Sequence, residues 1–285
     1  AWQAAAAADP ACALCRWGLA LAYAPFLNKP EMAGEEAAQG RAAMAAAARA
    51  AGDKGRSGRG LSPRASALLH AQALRFSGDD QREGAVLYQQ AMAALAGQYP
   101  EDGDVLALAA EASMLLRCDD EGYHFTTPDG LDLLPEMQEA LEWLQAAARA
   151  PSAARGGRHP LALHLTIHLT EQLRRGGAAR GLWAAEALVR ELGQSEAGHL
   201  QHMPSHAFLR TGRYAEAVAA NVAAHATNEV YLAHGRAPYG LGHNAAFLVY
   251  AADMAGLAGA SEAGGRALRE IYAGAGPEDA MAQLR

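Results

Sequence analysis

The chain has 285 residues and carries 24 Lys and Arg residues against 31 Asp and Glu residues, which gives a formal net charge of −7 at pH 7. Proteins that bind nucleic acid usually present a basic stripe, and the sequence has none, so we expect no nucleic-acid partner. No run reaches the roughly 18 apolar residues of a membrane-spanning helix, so we expect no membrane partner. The first residue is alanine and both ends fall within helical patterns, so we expect the chain to be part of a longer protein.

Composition and periodicity both predict an all-α fold. Aromatic residues make up 6% of the chain, alanine is abundant and β-branched residues are scarce, which favours helix over sheet. Apolar residues recur with the helical period in segments of about 12 to 18 residues, separated by short Gly, Pro and Asp breaks. The predicted helices lie near 11–24, 33–51, 62–77, 83–98, 104–117, 133–149, 160–175, 178–193, 199–211, 213–227, 240–256 and 260–273.

Two of the three cysteines form a Cys-x-x-Cys motif in the first predicted helix. Cys12 and Cys15 do not follow a strand, as they would in a thioredoxin-like redox site. We therefore expect buried thiols that face a neighbouring helix. A redox or metal-binding role for this pair is the less favoured alternative.

Two stretches lack the helical period. The first, 52–60, is rich in glycine and charge and predicts a flexible exposed loop. The second, 118–130, contains the turn sequence Pro-Asp-Gly and predicts a crossover. We accordingly expect an N-terminal block of helical hairpins at 1–117, a crossover loop at 118–130 and a tetratricopeptide-like block at 131–285. One continuous solenoid across both blocks is the alternative.

Serial helix pairs joined by tight turns are the pattern of an α-solenoid. The clearest local match runs from Thr211 to Ala217, where Gly212 is followed two residues later by Tyr214. In a tetratricopeptide turn, glycine makes the bend, tyrosine fills the space between helices and alanine allows close packing. The sequence thus predicts an α-solenoid of antiparallel helix pairs, a tetratricopeptide-like superhelix.

Nine of the 11 histidines lie between His159 and His243. Among them, His164 and His168 are one helical turn apart, which places both imidazoles on one face, as chelation of a metal requires. Glu171 follows near the same face. Three roles stay open for Glu171: a metal ligand, an acceptor for an imidazole N–H, or a catalytic general base.

His202 and His206 repeat this spacing at the start of a later helix. Pro204 favours a first helical turn, and the partial positive charge of a helix N-terminus favours the neutral imidazole that binds metals. One predicted helix, 178–193, separates the two pairs, so in a solenoid both pairs would line the same surface. His243 begins a further helix and is an additional candidate ligand.

Two His-x-x-x-His pairs on alternate helices predict one shared metal site. Its ligands would be His164, His168, His202 and His206, with His243 in support. Imidazoles suit divalent transition metals, here Zn, Cu or Fe. The alternative is that histidines cap helices and satisfy buried backbone groups, and we favour it for the four that remain outside these segments: His70, His124, His225 and His234.

Four motifs follow one another in a fixed order along the chain. They are Asp-Pro-x-Cys-x-x-Cys-x-Trp-Gly at 9–18, His-Pro-x-x-x-His-x-x-Ile-His at 159–168, His-Met-Pro-Ser-His at 202–206 and His-Asn at 243–244. This set resembles a family of bacterial-type tetratricopeptide-repeat proteins. The resemblance implies a superhelix with a polar, histidine-lined interior, and it implies no settled activity. The chain departs from the family pattern at Leu161, where glycine is usual, and at Ala246, where histidine is usual.

Three hypotheses for function follow. The favoured one is a solenoid with a histidine-lined metal site, in which an open coordination position acts on a small molecule bound in the concave groove. The second is a non-catalytic tetratricopeptide scaffold that binds a peptide or protein partner in that groove. The third is a metal-free enzyme that uses His168 and Glu171 as an acid–base dyad.

Overall fold

A computed structural model describes residues 1–52, 60–119, 121–150, 158–192, 197–236 and 238–273. Most of these residues are helical, which confirms the all-α class. Most of the loop predicted at 52–60 lies outside the described residues. Within the described ranges, no helix combines the length and apolar character that crossing a bilayer requires. The helices are α1 (Trp2–Ala8), α2 (Ala13–Tyr23), α3 (Gly34–Gly52), α4 (Pro63–Arg75), α5 (Gln81–Gln98), α6 (Gly103–Leu115), α7 (Pro135–Arg149), α8 (Pro160–Glu171), α9 (Leu182–Leu192), α10 (Gly198–His202), α11 (Pro204–Arg210), α12 (Tyr214–Ala233), α13 (Leu241–Met254) and α14 (Ala258–Ile271).

The chain folds into two compact units. Unit 1 comprises residues 1–125 and 135–146, and unit 2 comprises residues 126–134 and 147–285. The chain first passes from unit 1 to unit 2 between Phe125 and Thr126, within the segment 118–130 in which the sequence predicts a crossover. Helix α7 begins in unit 1 and ends in unit 2.

Side-chain caps set the start of several helices in unit 1. Ser62 accepts a hydrogen bond from the N–H of Ala65 and precedes Pro63, the first residue of α4. Asp102 caps α6 in the same way and also pairs with Arg64. A cap of this kind stabilises a helix by about 1 kcal/mol. These two caps mark where α4 and α6 begin.

Small residues let the helices of unit 1 pack closely. A Cβ atom at Gly40 would lie 2.3 Å from the ring of Phe76, and one at Gly18 would lie 2.5 Å from the ring of Trp2. Around Phe76 the core consists mainly of alanine, with methionine and leucine as larger members. Close approach of this kind explains how an alanine-rich chain with few aromatic residues still buries apolar surface.

A short antiparallel hairpin follows α6. Its strands are β1 (Cys118–Asp119) and β2 (Gly122–Tyr123), and Gly122 adopts a positive φ of 125°. The ring of His124 lies 2.9 Å from both carboxylate oxygens of Asp119. The sequence predicts only an irregular crossover at this point. It does not show the two strands, because strands of two residues are too short to give an alternating pattern.

The Cys-x-x-Cys motif differs from the expectation. Cys12 and Cys15 form a disulfide and are half-buried, so they are not the buried thiols that the sequence predicts. The reason is position: Cys12 is the N-cap of α2, and its Sγ accepts a hydrogen bond from the N–H of Cys15 at 3.0 Å. Cys118 is a buried thiol, and its Sγ donates to the carbonyl of Met114 at 3.2 Å.

Three helix boundaries in unit 2 differ from the prediction. Helix α8 ends at Glu171, and a 3-10 turn at Gly177–Gly181 precedes α9. The left-handed conformations of Arg175 (φ 51°) and Gly176 (φ 81°) interrupt the helical backbone between the two helices. The helix predicted at 199–211 is two helices, α10 and α11, because Pro204 has no N–H with which to continue the helical hydrogen bonds. Helix α12 runs beyond the predicted end at 227, to Ala233.

Candidate metal centre

Helix α8 carries two imidazoles and a carboxylate into the interior of unit 2. His164, His168 and Glu171 follow the helical spacing on one face, and α8 packs against α9 and α11. His159 caps the helix, since its Nδ1 accepts a hydrogen bond from the N–H of Ala162 at 3.4 Å. Both histidines on the inner face are buried. The local fold of α8 therefore sets the directions of these three side chains.

Helices α10, α11 and α13 supply four more imidazoles. His199 and His202 lie in α10, and His206 lies in α11 after the break at Pro204. The spacing stays helical across that break, and the ring centroids of His202 and His206 are 4.9 Å apart. His243 lies in the first turn of α13, with its ring centroid 4.8 Å from that of His202. Six imidazoles thus gather inside unit 2.

The carboxylate of Glu171 connects two of these imidazoles. Its Oε1 accepts a hydrogen bond from Nδ1 of His168 at 2.7 Å, and its Oε2 accepts one from Nδ1 of His206 at 2.6 Å. Because an ionised carboxylate can only accept, both rings donate from Nδ1 and direct Nε2 away from the carboxylate. Of the three roles that the sequence leaves open for Glu171, this geometry fits the acceptor that orients imidazoles.

The amide of Asn221 orients a third imidazole. Its Nδ2 donates to the carbonyl of Ala217 at 2.8 Å, which identifies Oδ1 as the atom that faces His202. Nδ1 of His202 lies 2.6 Å from that Oδ1 and must therefore donate to it. In its neutral form His202 then carries its lone pair on Nε2, as His206 does. Sequence reasoning did not single out Asn221.

Three Nε2 atoms converge where these oriented rings meet. Nε2 of His206 lies 2.9 Å from Nε2 of His202 and 3.4 Å from Nε2 of His243. Two lone pairs repel each other at 2.9 Å unless a proton or a cation lies between them. Metal–nitrogen bonds of about 2.0–2.1 Å separate two ligand nitrogens by about 2.9 Å at a right angle and about 3.4 Å at the tetrahedral angle. We call His202, His206 and His243 the first triad.

A second group of three imidazoles lies beside the first. His164, His168 and His199 each offer one nitrogen, and these nitrogens lie within 4.8 Å of one another. The ring centroid of His164 is 4.8 Å from that of His168 and 5.3 Å from that of His199. Nε2 of His164 is buried and makes no hydrogen bond within the described residues. We call these residues the second triad.

Burial keeps several of these rings neutral. It lowers the pKa of His164 and His202 well below the usual range, and the neighbouring imidazoles lower it further. Burial also lowers the pKa of His199 to about 3. For Glu171, burial raises the pKa, but the charge of His206 and the hydrogen bonds from both imidazoles outweigh it, so the pKa lies below its usual range. An ionised carboxylate thus stands near the neutral rings of His164, His199 and His202, and neutral imidazole is the form that ligates metals.

Aromatic rings cover the open sides of the cluster. The ring of Phe247 has its centroid 4.4 Å from that of His206 and 4.6 Å from that of His243. The ring of Tyr239 lies 4.9 Å from that of His199. Apolar walls lower the local dielectric constant, which strengthens the interaction of the imidazoles with any cation they hold.

The structure brings the six predicted site residues into one cluster but groups their ligand atoms differently from the prediction. His164 and His168 belong to the second triad, and His202 and His206 to the first, rather than all four to one ion. His243 reaches the cluster although Ala246 stands where the family has a further histidine. His199 was not predicted as a ligand, and its position three residues before His202 was the signal that could have identified it.

The four histidines expected to serve ordinary structural roles lie outside both triads. His70 is exposed, and His124 pairs with Asp119 as described above. His225 lies 4.0 Å from Glu229 on the outer side of α12, and Nδ1 of His234 lies 2.7 Å from the carbonyl of Val230.

Comparison with known proteins adds no assignment. The chain matches no protein-family model, and a search among curated proteins finds no significant relative. Its function must therefore be argued from the geometry of the histidine cluster.

Proposed function

We propose that unit 2 binds a divalent transition-metal ion through Nε2 of His202, His206 and His243. The observation that carries the proposal is the convergence of three Nε2 atoms, two of them on rings whose Nδ1 is held by Glu171 or Asn221. A proton can join only two nitrogens, whereas a metal ion can take all three. The spacings of 2.9 and 3.4 Å also suit ligands of a single ion.

Three protein ligands leave at least one position of a four-coordinate ion for water or a small substrate. Catalytic zinc sites have this composition, whereas structural zinc sites have four protein ligands. An imidazole set suits zinc, copper or iron. A small-molecule metalloenzyme is therefore the activity that we propose, with the ion polarising a substrate or activating water. Glu171 is a positioning residue in this proposal, because both of its oxygens are engaged by imidazoles.

The fold that we propose around this site is a tetratricopeptide-like solenoid. The stretch after α11 supports it: Gly212 adopts a φ of 75°, Tyr214 begins α12 and Ala217 is fully buried. A glycine bend and a closely packed alanine are features of such a turn. The ordered motifs that resemble the bacterial-type family support the same proposal.

Metal analysis of the full chain, purified without a histidine tag, tests the proposed function. We expect stoichiometric zinc, copper or iron. In His206→Ala we expect the affinity for Zn²⁺ to fall at least about 100-fold, because the ion loses a ligand that Glu171 holds in the binding orientation. His225→Ala is the matched control, since it removes a half-exposed histidine of the same unit that lies outside both triads. Absence of stoichiometric metal in the wild type, with no change of Zn²⁺ affinity in His206→Ala, would refute the proposal.

The second candidate is a scaffold that binds a peptide without chemistry. A pocket of about 440 Å³ between α9, α11 and α12 favours it, because its walls are largely apolar and end in charged residues. Val189 is 50% exposed at this pocket, and Ala219 and Ala220 form its floor. Ala220→Trp would fill the pocket without touching an imidazole. Loss of a partner in this variant with unchanged metal content would favour the scaffold.

A further inference from the structure

We propose that the second triad binds its own metal ion, so that unit 2 holds a two-metal centre with three imidazoles on each ion. This inference rests on the proposed function, because it extends the same chemistry to His164, His168 and His199. Their candidate ligand nitrogens lie within 4.8 Å of one another. All three residues lie on α8 and α10, which also carry Glu171 and His202 of the first triad.

One ion cannot use all six imidazoles. With bonds of about 2.0–2.1 Å, the ligand atoms of one ion lie at most about 4.2 Å apart. Among the described residues, the imidazole nitrogens that lie within 4.8 Å of one another instead form two groups of three that share no residue. A further group, His168 with Glu171 and His206, takes one imidazole from each triad. The second triad is therefore a separate position beside the first.

The surroundings of His164 point to a ligand. Its side chain is 8% exposed, and Nε2 makes no hydrogen bond within the described residues. Leucine, alanine and isoleucine flank it along α8, and all of these are buried. A buried polar atom normally has a partner. A cation shared with His168 and His199 supplies one.

Glu171 contacts one imidazole of each triad. One of its oxygens orients His168 of the second triad, and the other orients His206 of the first. Glu171 is also the only carboxylate in the candidate groups of the described residues. With both its oxygens engaged, the ions have imidazole donors alone. Such a donor set favours zinc or copper over magnesium, calcium or manganese, which prefer oxygen ligands.

Zinc stoichiometry tests the two-metal centre. The full chain would be stripped with a chelator, dialysed against Zn²⁺ and analysed for zinc per chain. We expect two ions in the wild type, one in His199→Ala, one in His164→Ala and one in His243→Ala. The double variant His199→Ala with His243→Ala should bind none, and His225→Ala should keep two. Far-UV circular dichroism would establish that each variant is folded, with His199→Gln and His164→Gln as replacements for a misfolded alanine variant.

The outcomes separate this inference from the proposed function. One ion in the wild type, lost in His243→Ala but kept in His199→Ala, overturns the two-metal centre and leaves the proposed function intact. No ion overturns both. Two ions that persist in folded His199→Ala and in folded His164→Ala place the second ion elsewhere and overturn the inference.

Copper offers a second measurement on the same variants. Two neighbouring Cu²⁺ ions couple magnetically, so the loaded wild type should give a weakened or half-field electron paramagnetic resonance signal. His199→Ala should give the ordinary spectrum of an isolated Cu²⁺. Isolated spectra of full intensity in both proteins would overturn the inference.

Discussion

Both compact units bury polar side chains, but the groups that meet differ in kind. In unit 1, Arg75 donates to the carbonyl of Pro25 at 3.0 Å and lies over the ring of Tyr88, 4.4 Å from its centroid. In unit 2, the groups that meet at 2.9 Å are ring nitrogens of His202 and His206. Opposite groups compensate one another within the fold, whereas like groups require something between them.

Electrostatics show the same contrast. Burial lowers the pKa of Arg75 and raises that of Glu111, and the charge of each opposes the shift of the other. Among the imidazoles of unit 2, burial and the neighbouring rings shift the pKa of His164 and of His202 in the same direction. In unit 1 the buried charges are therefore opposite in sign and compensate each other, although Nε of Arg75 and the side-chain amide of Gln72 make no hydrogen bond within the described residues. In our proposal, the complement of the buried imidazoles of unit 2 is a cation.

The largest effect that we expect from this contrast is in unit 1. Arg75→Ala should lower the free energy of unfolding by about 3 kcal/mol or more, because it leaves buried partners without their cation. Urea unfolding of the full chain, followed by far-UV circular dichroism, measures the change. Arg41→Ala, on the exposed side of α3, is the control and should cost less than about 0.5 kcal/mol. Equal costs for the two variants would show that Arg75 has no compensating role.

A middle-sized effect should come from Glu171→Gln in unit 2. Glutamine has one accepting oxygen, and its NH₂ group would face the Nδ1–H of the other imidazole. We expect the affinity for Zn²⁺ to fall about 10- to 100-fold at both positions, while the metal-free protein changes little in thermal stability. Calorimetric titration with Zn²⁺ measures this.

Glu186→Gln is the control for that variant, because Glu186 is a carboxylate of the same unit that pairs with Arg213 instead of an imidazole. Unchanged affinity for Zn²⁺ in Glu171→Gln would contradict the proposal that Glu171 is a positioning residue. A fall in Zn²⁺ affinity at only one of the two metal positions would contradict the proposal that Glu171 orients ligands of both triads.

The smallest effect should come from a half-buried pair of opposite charges in unit 1. Burial raises the pKa of Asp102, but the hydrogen bonds from Arg64 and from the N–H of Val105, together with the charge of Arg64, outweigh it, so the pKa lies below its usual range. The stabilisation is therefore present above about pH 4 and is lost as the pH falls below it. Asp102→Asn keeps the cap of α6 and should cost about 0.5–1 kcal/mol at pH 7 and less at pH 3.

Urea unfolding of wild type and Asp102→Asn at the two pH values measures that difference. Asp79→Asn, which removes an exposed carboxylate of the same unit, is the control. A cost that stayed the same at pH 3 would place the effect in the cap rather than in the charge.

Periodicity was sufficient for the helices because an apolar stripe is a local property of the sequence. It was not sufficient for the break before Pro204 or for the two-residue strands at Cys118 and Gly122. The first depends on a single missing N–H group within a continuing helical pattern. The two strands have only two residues each, which is too short to show the alternating pattern of a β-strand. The disulfide between Cys12 and Cys15 likewise depends on where α2 begins. The helix begins at Ala13, with Cys12 as its N-cap, rather than near residue 11 as predicted.

Local spacing by itself determined that His164 and His168 share one face, that His202 and His206 share another, and that Glu171 lies near the first pair. A helix has a fixed pitch, so these relations follow from residue numbers. Tertiary structure alone decided that the imidazoles divide into two triads, because that depends on which rings meet across helices: His164 with His199, and His202 with His243. Such contacts join residues far apart in the chain, and no periodicity encodes the distance between them.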